Sequence, residues 1–383
     1  MDLFDAIRPY NDAEVPAVLA RLSKDKAFLD SLIRFRYPEV GALRMALLRP
    51  LLALRLQAQL RGIGTVAQLQ AHIEPYINRT IERSTAGISW SGIEHIEAGK
   101  AHLFIANHRD IVMDPAFANY ALYKSSLPTL RIAIGDNLLQ KPFVADLMRL
   151  NKSFIVQRSL TARREKLAAF QLLSAYINHS IRHDGELLWI AQAEGRAKDG
   201  DDRTDPAILK MFHLACKDAP FSECVRDLRM TPLTISYEYD PCDLAKAREL
   251  YIRETTGQYA KAAGEDDASI ALGITGFKGR VHVHFGTPLE PLDDAKELAV
   301  AIDKQIGLSY RLFPVNYLAY ADWQEKDSAL SVPLAADLFL EAELNRAKQE
   351  WQKRLSACEE AHRPWLIRQY AMPVQKQYRL KAA

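Results

Sequence analysis

From about residue 86 onward, short apolar runs alternate with longer stretches of helical periodicity, and this alternation limits the fold more than any other feature of the chain. AHLFIAN (101–107), LRIAIGD (130–136), SFIVQR (153–158), ELLWIAQ (186–192), MTPLTISYEY (230–239) and RVHVHFG (280–286) read as buried strands. Helical patterns fall between and after them, near 115–125, 140–150, 161–183, 204–217, 243–262 and 293–306. Strands that alternate with helices pair in parallel, because each helix carries the chain back across the sheet. The expected fold is therefore α/β, with a mostly parallel central sheet flanked by helices. Residues 1 to about 80 differ. Ile33, Val40, Leu43, Leu47, Leu51 and Leu54 recur at helical spacing, and Pro38 and Pro50 break the stretch into two or three helices. After about 325 the charged helical run LAADLFLEAELNRAKQEWQKRL leads into a basic tail. The expected organisation is an N-terminal helical region (1–82), an α/β domain (83–325) and a C-terminal helical extension (326–383).

Composition sets the class. Hydrophobic residues make up 48% of the 383 and charged residues 26%, enough to build a sizeable core. Fifty Lys+Arg against 48 Asp+Glu leave a net charge of +2, which excludes a protein built to coat nucleic acid. Cys216, Cys224, Cys242 and Cys358 show no C-x-x-C pairing, so no zinc site, and no metal at all, is expected. The opening MDLFDAIRPYNDAEV has no apolar core of a signal peptide. No run reaches the roughly 18 apolar residues of a membrane span. The expected location is cytoplasmic, with any membrane contact made peripherally at the inner face. LLRPLLALRLQ (47–57) reads as a packed helix, since Arg44 and Arg55 fall together while Arg49 and Arg61 fall elsewhere.

The polar residues gather where strands end. FIAN leads into His108-Arg109-Asp110, IAIG into Asp136-Asn137, FIVQ into Arg158, and WIAQ into Glu194-Gly195-Arg196. Ligands of open α/β sheets bind off the carboxyl ends of the strands, so four such junctions on one edge would build a single polar pocket. In NHRDIVMD (107–114), a histidine is followed two and six residues later by carboxylates. Either Asp110 or Asp114 can orient the imidazole while it takes a proton from a hydroxyl. The bland alternative is a loop in which Asp114, before Pro115, caps the next helix. In AEGRAKDG (193–200), Gly195 lets backbone approach a ligand, and Arg196 and Lys198 can hold a phosphate. Solvated turn charges are the alternative there. Residues 131–166 hold eight basic side chains against three acidic ones, a local excess that suits an anionic ligand.

These blocks, in this order, resemble the glycerol-phosphate and lysophosphatidate acyltransferase superfamily. Its His-x4-Asp, strand–arginine, E-G-[TS]-R and strand–proline blocks resemble NHRDIVMD, then IGDNLLQKPFVADLMRLNKSFIVQR, AQAEGRAKDG, and TPLTISYEY with Pro232. FGTPLEPL (285–292) resembles the closing strand, and the N-terminal helices resemble the helical domain of soluble glycerol-3-phosphate acyltransferases. The resemblance implies transfer of a fatty acyl group from acyl-CoA or acyl carrier protein, as co-substrate and without a cofactor. The acceptor would be a hydroxyl of glycerol-3-phosphate or 1-acylglycerol-3-phosphate. It makes His108 the general base and Asp114 its partner, and places Arg109, Arg158, Glu194, Gly195, Arg196 and Lys198 around the acceptor. Two departures stand out. The histidine-to-Asp114 spacing is His-x5-Asp, and the third block lacks the hydroxyl residue between Gly195 and Arg196. They leave room for an acyltransferase with another acceptor, or for a lipid-binding protein that keeps the fold.

Overall fold

The computed structural model describes residues 3–262 and 264–382. Each of the six apolar runs forms a strand, and a seventh precedes them. The strands are β1 (Gly87–Ser91), β2 (Leu103–Ala106), β3 (Arg131–Gly135), β4 (Ser153–Val156), β5 (Leu188–Ala191), β6 (Met230–Tyr237) and β7 (Arg280–Phe285). β1 has no long apolar run to announce it. It is an edge strand that pairs with β7 alone among the described strands, and its residues are exposed or half-buried. The fold is α/β, with a mostly parallel sheet flanked by helices.

The chain divides into two compact units, Met1–Asn78 with Arg131–Tyr176, and Arg79–Leu130 with Ile177–Ala383. In the second, strands lie in the order β1-β7-β6-β2-β5. β1 pairs with β7 and β2 with both β5 and β6 in parallel, while β6 and β7 run antiparallel. All residues of β2, β5 and β6 are buried, as strands covered on both faces require. The register sets Ala106 beside Ala191, so the loops after β2 and β5 leave the same sheet edge together. The C-terminal helix Arg363–Ala382 buries Leu366, Tyr370, Ala371 and Val374 in a core shared with Phe313, Val315 and Trp351.

In the first unit β3 and β4 pair in parallel. Val15, Val18, Leu19 and Leu22 of the first helix pack with Phe143 and Leu150. The helix Ala42–Leu60 departs from the packed reading. It is fastened to Lys26–Arg36 by Arg49 on Asp30 at 2.7 Å, and it buries Met45. Leu43, Leu47, Leu51 and Leu54, however, are 63–78% exposed. At 3.6 residues per turn these four leucines share about 80° of the helix surface. Hydrophobic periodicity alone does not say whether such a stripe meets protein or something else, and here no described core covers it.

Candidate active site

The loop after β2 is fixed from several sides. Asn107 is buried and ties β2 to β6, accepting from Ile235 N at 2.7 Å and donating to Ile235 O at 3.0 Å. The next residue, His108, directs Nδ1 to Asp114 Oδ2 at 2.8 Å. That same oxygen accepts the backbone N–H groups of Arg109 and Asp110 at 2.6 and 3.0 Å. The other oxygen, Oδ1, accepts the Tyr237 hydroxyl at 2.7 Å. Asp114 is fully buried at the start of the helix Met113–Lys124, whereas His108 remains partly open. An ionised carboxylate only accepts, so the imidazole donates through Nδ1 and keeps a lone pair on Nε2. Trp189 of β5 stands beside the imidazole, edge to face, with ring centroids 5.6 Å apart.

The two carboxylates of NHRDIVMD therefore have different tasks. Asp110 accepts from Val112 N and Met113 N at 3.0 and 2.8 Å and closes the helix start. Burial, and then the Asp114 charge, push the Asp110 carboxyl above its ordinary range. Across the His-x5-Asp spacing, Asp114 reaches the imidazole.

Arg109, which the resemblance sets among the acceptor-binding residues, is turned into the protein instead. Its guanidinium is buried on Asp202 Oδ2 at 2.7 Å and lies over the Tyr310 ring. Its carbonyl accepts from Lys246 Nζ at 2.7 Å. Asp202 also accepts from Asn107 Nδ2 at 3.1 Å. Arg109 is thus a buried anchor of the histidine loop. Neither Asp202 nor Tyr237 nor Lys246 carries a sequence signal. Each lies far along the chain from the motif it supports.

The Glu194–Lys198 segment follows β5 and meets the histidine loop directly, with Ala197 N donating to the His108 carbonyl at 2.8 Å. Gly195 takes φ +81°, and nothing lies within 4 Å of where a Cβ would stand, so this turn is open on its outer side. Glu194 is exposed. The Arg196 Nη1 is buried without a hydrogen-bond partner among the described residues, a costly state for a charged donor unless an anion joins it. Lys198 is held by Glu249 at 3.2 Å, and burial lowers its pKa from the usual lysine value. Two of the four strand-end clusters therefore adjoin here. The other two adjoin in the first unit, where Asp136 accepts from the backbone N–H of Arg158 at 2.9 Å and Arg158 is exposed.

A family model described as Acyltransferase matches residues 87–221, a span holding His108, Asp114 and the Glu194–Lys198 turn. No curated protein sequence matches the chain. Among solved structures, the chain is similar to the 1-acyl-sn-glycerophosphate (LPA) acyltransferase from Thermotoga maritima. The TM-score is 0.35 and the identity 16%, over 76% of this chain and 92% of that one.

Proposed function

We propose, from the match of residues 87–221 to the Acyltransferase family model, that the chain moves a fatty acyl group from acyl-CoA or acyl carrier protein onto a hydroxyl of glycerol-3-phosphate or 1-acylglycerol-3-phosphate. One observation carries the reading. His108 Nδ1 is committed to a buried carboxylate, leaving Nε2 to act as the base on a partly open side chain. Nε2 takes the acceptor's hydroxyl proton as that oxygen attacks the thioester carbonyl. The tetrahedral intermediate then expels the thiolate, which takes the proton back from Nε2. Asp114 stabilises the imidazolium formed between the two steps. Holding both substrates beside one base supplies much of the remaining acceleration. The residues named here account for the proton transfers without a cofactor.

Arg196 holds the acceptor's phosphate in this scheme, since its buried Nη1 has no hydrogen-bond partner among the described residues. Lys198, already on Glu249, contributes charge at longer range, and Glu194 orients a second acceptor hydroxyl. Arg196→Ala is expected to raise the acceptor KM by about 10- to 100-fold, the worth of one to two charge-assisted hydrogen bonds, while changing kcat by less than about threefold. Steady-state kinetics with varied glycerol-3-phosphate or lysophosphatidate test this. An unchanged KM would remove Arg196 from the acceptor site.

No helix among the described residues is long and apolar enough to cross a membrane. The exposed stripe of Leu43, Leu47, Leu51 and Leu54 instead suits a helix lying in the surface of an anionic bilayer, where a lysophospholipid acceptor resides. Arg44 and Arg55 flank one side of the stripe by helical position, as lipid phosphates would require. The paired substitution Leu47→Glu, Leu51→Glu is expected to cut co-sedimentation with phosphatidylglycerol-containing vesicles at least about tenfold, because two apolar contacts become repelled charges. Equal sedimentation of both proteins would place the contact elsewhere.

A further inference from the structure

The acyl-transfer chemistry assigned to His108 uses one oxygen of Asp114. Among the described residues the other oxygen has a single side-chain donor, the hydroxyl of Tyr237 at 2.7 Å, from the last residue of β6. Tyr237 is held in place by the sheet and by its ring. Its backbone is in register with Val281 of β7, and its ring meets Phe117 edge to face at 5.8 Å. Burial, followed by the charges of Asp114 and Asp110, raises the phenol's pKa well above its ordinary value. The phenol therefore stays a donor throughout the working pH range.

Resting on the reading of His108 as the base, we infer that Tyr237 is a positioning residue of the transfer reaction. Its hydroxyl pins the second oxygen of Asp114, fixing the carboxylate's rotation and moderating its pull on the imidazole. Without that donor, Oδ1 is a buried acceptor with no partner, and rotation about Cβ–Cγ is opposed only by the contacts at Oδ2. The carboxylate charge is also less spread, so it favours the imidazolium more strongly. Loss of the hydroxyl therefore raises the basicity of His108, while addition of a stronger donor lowers it. The other charged groups around this cluster are Asp110, Asp240, Arg109, Lys246 and Lys278. They are common to every variant below, which isolates the one hydroxyl.

The test is the pH profile of kcat/KM for the full chain, with palmitoyl-CoA as donor and lysophosphatidate as acceptor. Tyr237→Phe is expected to lower kcat about tenfold, with KM for both substrates within about twofold, and to move the acid limb of the profile up by about half a pH unit. Replacing Tyr237 with 3-fluorotyrosine keeps the hydroxyl but makes it a stronger donor, and is expected to move the limb down. This second variant decides the matter if Tyr237→Phe does not fold. A limb that stays at its wild-type position in the folded variants overturns the inference, since a purely structural tyrosine would leave it there. His108→Ala is assayed alongside. Residual near-normal turnover in that variant overturns the base assignment itself. An inactive His108→Ala with an unmoved tyrosine series overturns only the role of Tyr237.

Discussion

Replacing His108 with alanine is expected to lower acyl transfer by about 10²–10⁴-fold, the usual contribution of a placed general base. The acceptor's affinity should change little, because in this account the phosphate is held by Arg196 and the base touches only the reacting hydroxyl. The fold should survive as well. His108 closes no core, and its side chain is partly open. Its backbone carbonyl, which Ala197 N grips, is kept in the variant. The comparison therefore separates chemistry from binding. Single-turnover rates fall together with kcat, while acceptor titration monitored by calorimetry stays within about threefold of wild type.

The largest expected effect on stability lies in the ion pair between the next residue, Arg109, and Asp202. Asp202→Ala should destabilise the chain by about 3–5 kcal/mol, since it strands the Arg109 guanidinium in the interior without its counter-charge. Both side chains of the pair are almost wholly buried, and Asn107 loses a partner at the same time. Chemical denaturation would read this as an early midpoint. Turnover should fall as well, because Asn107 and Arg109 flank His108 on the loop that loses its anchor. The paired substitution Arg109→Met, Asp202→Leu is expected to recover much of the lost stability. It removes both charges and replaces them with apolar volume. If Asp202→Ala unfolds like wild type, the ion pair is not an anchor of this loop.

The fold was largely legible because β2, β5 and β6 are covered on both faces and so must be apolar along their whole length. β1 was not, since an edge strand with one ladder needs only a half-buried GISWS. The N-terminal leucines were legible as a helix but misread as packed. Periodicity reports an apolar stripe, and the stripe on Ala42–Leu60 faces outward. At the candidate site, strand-end position was enough to expect that the loop of His108 and the turn at Gly195 adjoin. Which carboxylate meets the imidazole was not readable, because it depends on how the backbone turns between Asp110 and Met113 rather than on spacing. Nothing local to Arg109 announces its buried ion pair, because its partner, Asp202, lies in a different loop. Tyr237 is one more residue in a buried strand until the fold sets it against Asp114. Groups brought together only by tertiary structure leave no local mark in the chain.

The most direct test of the account is thiol release from palmitoyl-CoA by the wild-type chain, measured with glycerol-3-phosphate, with lysophosphatidate, and with glycerol lacking phosphate. The expected result is release that depends on a phosphate-bearing acceptor and is close to background with glycerol. Release that is equally fast with glycerol would contradict phosphate recognition. No acceptor-dependent release from either palmitoyl-CoA or palmitoyl acyl carrier protein would contradict the transfer reaction itself.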